Sequence, residues 1–275
     1  ATYYMTNAQK QVYAIVRNQI KHLVVFKSDY STSVDVTIKN FLQRSTGIPY
    51  TFSFSKASDA SAFYNHFCDL NIFYRSISNT ERALLNKTSS IASAYWIDDN
   101  MFRFHEDGDT FAYLAPGTDN YKNLEYMVEH CDEVISYNPM ISEDCSRYNP
   151  HIFELSTNIP SQYLLEKTSP EDGRIHFAVF SGNVRQEIFA ELWAALEKLT
   201  KRYADRIDIT FWGLDPSQYA PLTCPVYHQP FTHSYDRYLD NLRNAFFHFQ
   251  ICPLGVRKTD RSKSPVKYLE GTAAG

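Results

Sequence analysis

Short apolar segments alternate with amphipathic, helix-like segments along most of this 275-residue chain. This alternation is typical of layered α/β proteins, in which helices connect parallel strands and cover the sheet. The best helix candidate follows residue 185, where apolar side chains recur with the 3.6-residue period from Ile188 to Leu199. We therefore predict an α/β fold. The predicted strands are 22–26, 70–74, 92–97, 133–137, 151–155, 175–180, 207–212, 226–228 and 246–251. Besides the helix after residue 185, we predict helices over 7–20, 34–42, 123–130 and 235–244.

A change of composition near the middle of the chain predicts two domains. Residues 160–173 carry Pro160, Pro170 and Gly173 among mixed charges, which favours a linker. We expect two Rossmann-like, doubly wound domains that face a cleft, with residues 1–165 in the first and 166–275 in the second. In such sheets ligands bind beyond the carboxyl ends of the strands.

The charge balance and hydropathy exclude several classes of protein. There are 27 Lys and Arg against 31 Asp and Glu, a net charge of −4, so we expect no nucleic-acid partner. Hydrophobic residues at 44% indicate a globular chain, and no run of 18 apolar residues predicts a membrane span. We expect a cytoplasmic location and leave open a peripheral contact with the inner face of a membrane.

The sequence shows little sign of a bound cofactor. The five cysteines include no Cys-x-x-Cys pair, which favours reduced thiols over a zinc site. A Gly-x-Gly-x-x-Gly run is absent, which argues against a dinucleotide. We therefore expect neither a cofactor nor a metal.

The last predicted helix begins with features that favour a bound phosphate. Ser264 is a good N-cap and Pro265 suits the first helical position. The free N–H groups of a helix N-terminus attract anions, and Lys263 directly precedes this one. Lys267 and Glu270 are three residues apart and share a helix face, so they offer a cation for a phosphate and a carboxylate for ribose hydroxyls. The alternative is a solvated basic loop before an ordinary capped helix.

The same stretch resembles a known motif. Residues 261–270, Arg-Ser-Lys-Ser-Pro-Val-Lys-Tyr-Leu-Glu, followed by Ala273-Ala274-Gly275, resemble the donor-nucleotide motif of GT-B glycosyltransferases. The resemblance is strongest to the retaining family-four-like group, whose run is Lys-Ser-x-x-Lys-x-Leu-Glu. The stretches 96–100, 175–185 and 211–213 resemble other parts of that group in the same order. One departure is Ser262, which stands where many members carry a first Glu.

The resemblance implies that a nucleotide-diphosphate sugar is the donor and that a hydroxyl of a glycan or glycolipid is the acceptor. It also implies retention of configuration and no divalent metal. Because the group continues beyond this Gly turn, we expect an incomplete second domain and a place in a larger multidomain chain. The resemblance carries over these donor-binding residues: Gly182, Arg185, Lys263, Ser264, Lys267 and Glu270. Of these, Arg185 and Lys263 would stabilise the charge on the departing diphosphate.

The first domain supplies the candidate acceptor side. Asp98 and Asp99 follow a predicted strand, where a carboxylate can bind acceptor hydroxyls or accept a proton. Strand alternation predicts that they point in opposite directions. Arg75 and His105 are weaker acceptor-side candidates. The alternative interpretation makes the aspartates turn or capping residues and the histidine structural.

Two other functions stay open at this point. The missing first Glu favours a non-catalytic module of a larger polysaccharide-assembly protein. A sugar-nucleotide epimerase with a Rossmann-like fold is a third hypothesis.

Overall fold

A computed structural model of the chain confirms the α/β class, with two fully parallel sheets. The predicted donor residues Gly182 and Arg185 lie outside the residues that the structure describes, as does a helix predicted over 7–20. The described residues are 21–27, 34, 37–38, 41–42, 50–59, 68–157, 167–168, 170–181 and 186–273.

The first sheet, sheet A, has six described strands in the order β2-β1-β3-β4-β5-β6. Strands β1 and β3 pair with each other, while β2 lies on the outer side of β1, so the strand order reverses at the β1–β3 pair. Ligands of doubly wound sheets bind at the carboxyl ends of such a pair. The strands are β1 Lys21–Phe26, β2 Tyr50–Ser55, β3 Leu70–Tyr74, β4 Ala92–Ile97, β5 Glu133–Ser136 and β6 Ile152–Glu154.

Three helices accompany sheet A in the described part of the chain: α1 Asn79–Lys87, α2 Asp119–His130 and α3 Pro139–Cys145. Helix α1 begins with a capping box, in which the Ser78 hydroxyl accepts from the Glu81 N–H and the Glu81 carboxylate accepts from the Ser78 N–H. Helix α2 begins four residues before the predicted 123, because Thr118 caps it. A 3₁₀ segment, Met101–Asp107, follows β4.

Both faces of sheet A are buried, as expected of a parallel sheet. Along β4, Tyr95 and Ile97 pack in one apolar cluster and Trp96 in another. The first cluster includes Leu124 and Met127 of α2. Consecutive β4 side chains therefore bury opposite faces, and the strand lies inside the core.

The second sheet, sheet B, has the order β10-β7-β8-β9, which is one half of the Rossmann arrangement. Its strands are β7 Ile175–Phe180, β8 Ile207–Gly213, β9 Val226–Pro230 and β10 Phe249–Ile251. The remaining helices are α4 Gln186–Tyr203, α5 Tyr235–Asn244, α6 Lys258–Arg261 and α7 Val266–Ala273. Within the described residues, no helix is both long and apolar enough to cross a membrane.

The predictions for the end of the chain need two corrections. The strand predicted over 246–251 begins only at Phe249. Phe247 is buried although it is not part of the strand, and its ring packs edge-on against Phe180. An apolar residue before the strand was therefore mistaken for part of it. Part of the predicted loop before residue 264 forms the single-turn helix α6.

Backbone contacts divide the chain into two compact units. The first unit contains Ala1–Ser156 and Arg257–Ser264, and the second contains Thr157–Val256 and Pro265–Gly275. The chain thus returns to the first unit for eight residues before α7. The boundary predicted between 165 and 166 falls where most neighbouring residues are not described, and it stays a prediction.

Candidate functional site

Several predicted site residues of the first unit meet at the carboxyl ends of β3 and β4. The Arg75 Nε donates to Asp98 Oδ1, and its Nη2 lies 2.6 Å from Asp99 Oδ2. The Tyr74 hydroxyl donates to Asp98 Oδ2 at 2.9 Å. We call these four residues, together with Lys263, the edge cluster.

Lys263 reaches the edge cluster from the late segment of the first unit. Its Nζ donates to Asp99 Oδ1. The segment is anchored on the 3₁₀ helix that follows β4, since Arg257 Nη1 donates to the Asp107 carbonyl at 3.1 Å. The Thr259 hydroxyl also donates to the Asp107 carboxylate, at 2.5 Å. A residue predicted to bind the donor nucleotide thus lies against a predicted catalytic carboxylate.

The prediction that Asp98 and Asp99 point in opposite directions is wrong. Strand β4 ends at Ile97, so its alternation does not extend to the two aspartates, and both carboxylates contact Arg75. Arg75 has a φ of 48°, in the left-handed region that residues with side chains seldom occupy. Strain of this kind often accompanies functional positions.

Charges balance within the edge cluster. Burial raises the pKa of Asp98, whose side chain is only 7% exposed, while the Arg75 charge opposes the rise. The two carboxylates face one guanidinium and one ammonium group. Both carboxylates are therefore held in ion pairs.

A polar network that the sequence did not predict supports the loop after Asp99. Asp144 of α3 accepts from Asn100 Nδ2 at 2.9 Å and from both Nε and Nη2 of Arg103, at 2.8 and 2.6 Å. Burial raises the pKa of Asp144, but the hydrogen bonds from Arg103 and Asn100 prevail and lower it. Because the partners are about forty residues apart, no local motif could indicate this network.

His105 lies on the same 3₁₀ helix and packs edge-on against Tyr121 of α2, with 6.2 Å between ring centroids. This contact fits a structural role. The acceptor-side role of His105 stays a prediction.

A second group of predicted residues lies at the carboxyl edge of sheet B. Strands β7 and β10 are neighbours there, and they flank the point where the strand order reverses. Helix α7 is attached to both strands. The Lys267 Nζ donates to the carbonyl of Phe180, the last residue of β7, at 3.2 Å. Gln250 of β10 donates to the Lys267 carbonyl at 2.6 Å.

Glu270 supplies the buried carboxyl group of this edge, and the residue as a whole is 5% exposed. Its Oε2 accepts from the Tyr238 hydroxyl of α5 at 2.9 Å. Burial raises the pKa of Glu270 to about 7, against the opposing effects of the Tyr238 hydrogen bond and the Lys267 charge. Glu270 therefore exchanges a proton near neutral pH.

A glycine explains how α7 approaches β10 so closely. A Cβ at Gly271 would lie 1.4 Å from the Gln250 side-chain oxygen. A side chain here would displace Gln250 from the Lys267 carbonyl. Glycine is thus part of the structure that places Lys267 and Glu270.

The predicted donor residues divide between the two units. Lys263 and Ser264 group with the first unit, whereas Lys267 and Glu270 belong to the second. The sequence analysis placed all four residues in one predicted motif, because they lie close together in the chain. The packing partners that separate them are distant in the sequence and could not be seen there.

The described geometry defines a parallel α/β protein with polar clusters at the carboxyl edges of two sheets. No protein-family model matches the chain, and no curated protein matches it.

Among solved structures, the chain is similar to UGT89C1 of Arabidopsis thaliana complexed with UDP-L-rhamnose, at 10% identity and a TM-score of 0.42, over 96% of this chain and 76% of that one. It is also similar to a UDP-GlcNAc 2-epimerase of Methanocaldococcus jannaschii, at 7% identity and a TM-score of 0.49, over 93% and 81% of the two chains. A putative UDP-N-acetylglucosamine 2-epimerase of Listeria monocytogenes gives 9% identity and a TM-score of 0.38, over 84% and 74%. Since all three TM-scores lie below 0.5, the fold class rests on the strand orders above.

Proposed function

We propose that this chain is a GT-B glycosyltransferase, which moves a sugar from a nucleotide-diphosphate donor to a hydroxyl of a glycan or glycolipid. The carboxyl edge of sheet B holds the donor, and the carboxyl edge of sheet A receives the acceptor. Transfer proceeds with retention and without a divalent metal, as the sequence resemblance implies.

One observation carries this proposal: the second part of the predicted nucleotide motif, from Val266 onward, forms a helix that is hydrogen-bonded to the two strands that flank the reversal point of sheet B. Lys267 contacts the end of β7, and Gln250 of β10 contacts the Lys267 backbone. Ligands of doubly wound sheets bind at this place. A lysine and a buried carboxyl group, Glu270, are available there for a phosphate and for paired hydroxyls.

The hydrogen-bond partners of Glu270 indicate which part of a nucleotide it binds. The carboxyl group accepts from the Tyr238 hydroxyl, and the two hydroxyls of a pentose present the same kind of donor. Ionised Glu270 would accept a hydrogen bond from each of the two pentose hydroxyls, while Lys267 would pair with the diphosphate.

The proposed transfer breaks the bond between the sugar C1 and the diphosphate oxygen and forms a bond from C1 to the acceptor oxygen. The electron pair of the broken bond passes to the diphosphate, where Lys267 stabilises the charge, together with Arg185 as the resemblance implies. The acceptor hydroxyl passes its proton to the carboxylate of Asp98 or Asp99, and for this the carboxylate must first give up an ion pair in the edge cluster.

This last requirement favours a second candidate, a nucleotide-sugar-binding module without turnover. In the edge cluster each carboxylate is already paired with a cation. A module of a larger polysaccharide-assembly protein needs no general base. Binding at sheet B would then be kept while transfer is absent.

Calorimetric titration with UDP, GDP and ADP tests the donor site. We expect one of these nucleotides to bind, and Glu270→Gln to weaken its binding at least tenfold, because the neutral amide gives up the charge-assisted hydrogen bonds. Glu191→Gln, an exposed position on α4, is the matched control and should bind as the wild type does. Binding of none of the three, or equal binding by Glu270→Gln, would refute the proposal.

A turnover assay separates the candidates once a nucleotide is identified. The corresponding nucleotide sugars are incubated with glycan and glycolipid acceptors, and released nucleoside diphosphate is measured. Release that depends on an acceptor supports the transferase. Binding without release supports the module, and an epimerised nucleotide sugar without an acceptor would indicate an epimerase.

A further inference from the structure

The opposite edge of sheet B carries a second cluster of ligand-type side chains. His176 and Asp208 are the second residues of β7 and β8, and the strand register places them side by side. Asp172 lies in the turn before β7. One ligand atom from each of the three residues lies within 4.8 Å of the other two. Their sequence spacing gave no sign of a metal site, because the register of two strands joins them.

The two ring nitrogens of His176 have different surroundings. Nδ1 lies 2.8 and 2.9 Å from the two Asp208 oxygens, which is ordinary hydrogen-bond geometry. Nε2 is buried and has no hydrogen-bond partner among the described residues. Its neighbour is Asp172 Oδ1, at 3.3 Å.

The 3.3 Å between His176 Nε2 and Asp172 Oδ1 is the separation expected of two ligand atoms on one metal ion. A histidine nitrogen and a carboxylate oxygen bound to tetrahedral zinc, each about 2.0–2.2 Å from the metal, lie roughly 3.3 Å apart. The Asp208 carboxylate on the other ring nitrogen completes the carboxylate–histidine–metal arrangement common in such sites. It fixes the tautomer that leaves the Nε2 lone pair toward Asp172.

The ring of His176 is held in place from a third side. The His248 ring stacks on it with 5.3 Å between centroids and an interplanar angle of 8°. The His248 Nδ1 accepts from the His176 backbone N–H at 2.9 Å. Asp172 is 44% exposed and gives an ion access from solvent, whereas His176 and Asp208 are largely buried.

We propose that Asp172 and His176 bind a divalent transition metal of the zinc type, with Asp208 as the residue that positions His176. Water completes the coordination. The site is structural, because it ties the turn before β7 to the amino ends of β7 and β8, away from the carboxyl edge where the nucleotide is proposed to bind.

The test measures Zn²⁺ binding by calorimetry and by the shift in melting temperature. We expect Zn²⁺ to bind the wild type and raise its melting temperature, since a ligand specific for the folded state stabilises it. Asp172→Asn should weaken binding at least tenfold. This variant should keep its fold, because the amide oxygen can still accept from the Arg174 N–H, now 3.0 Å from Asp172 Oδ1.

Asp205→Asn, an exposed acidic position just before β8, is the matched control and should bind Zn²⁺ as the wild type does. Mg²⁺ should bind far more weakly than Zn²⁺, because imidazole ligands favour zinc. Absence of Zn²⁺ binding at millimolar concentration, or equal binding by Asp172→Asn, would overturn the proposal.

Discussion

The carboxyl edges of the two sheets hold their carboxyl groups in opposite ways. At sheet A, Asp98 and Asp99 are matched by two cations in the edge cluster. At sheet B, Glu270 is buried and accepts from the Tyr238 hydroxyl, and burial raises its pKa to about 7. The first edge is organised by charge pairs, whereas the second depends on a hydroxyl donor that a sugar hydroxyl could replace. This contrast supports assigning the nucleotide to sheet B.

The largest expected effect comes from breaking the edge cluster. Arg75→Ala leaves two adjacent carboxylates without their shared guanidinium, so we expect the free energy of unfolding to fall by about 3 kcal/mol. This value is at the low end for a buried ion pair, because the Arg75 side chain is 26% exposed. Urea denaturation monitored by tryptophan fluorescence measures the change.

The matched control for Arg75→Ala is Arg147→Ala, which removes an exposed guanidinium 3.0 Å from Asp144. A loss below about 1 kcal/mol is expected there. If the two variants lose the same stability, the edge cluster is no stronger than a surface ion pair.

The second prediction concerns the pH dependence at sheet B. Below pH 4.5, the ordinary pKa of the group, Glu270 is neutral in both the folded and unfolded states. As the pH rises to about 7, the unfolded chain ionises first, so folding loses up to about 3 kcal/mol, and above that pH the loss is constant.

Glu270→Gln removes this dependence, so its stability relative to the wild type should increase between pH 4.5 and 7. Denaturation curves at several pH values give the difference. A difference that stays constant across this range would mean that Glu270 is ionised and hydrated in the folded protein.

The smallest expected effect concerns Lys263. Its side chain is 35% exposed and Arg75 also pairs with Asp99, so Lys263→Met should cost less than about 1 kcal/mol. A double-mutant cycle with Asp99→Asn isolates the pair. Lys258→Met with Asp99→Asn is the control cycle, because Lys258 faces Glu106 instead. A coupling energy no greater than that of the control would place Lys263 away from Asp99.

Much of the secondary structure could be predicted from local patterns. The strands 70–74, 92–97 and 175–180 and the helix 235–244 agree with the structure residue for residue. Apolar runs predict buried parallel strands well, since both of their faces are covered. Helix α1 was missed although the capping box of Ser78 and Glu81 was visible in the sequence.

The candidate sites were less predictable, because they depend on packing between distant residues. Burial of Glu270 comes from α5, and contact of both aspartates with Arg75 depends on where β4 ends. The partner of Lys263 could not be read from the motif, since Asp99 lies 164 residues earlier in the chain. The cluster of His176 and Asp208 likewise depends on strand register alone.

The brief return of the chain to the first unit affects how the protein can be dissected. A fragment that ended at residue 156 would lack the eight residues that supply Thr259 and Lys263 to that unit. A fragment of the remainder would carry those residues without the strands they accompany. Any genetic split that is meant to keep both halves native therefore needs to move residues 257–264 along with the first half, for instance by circular permutation.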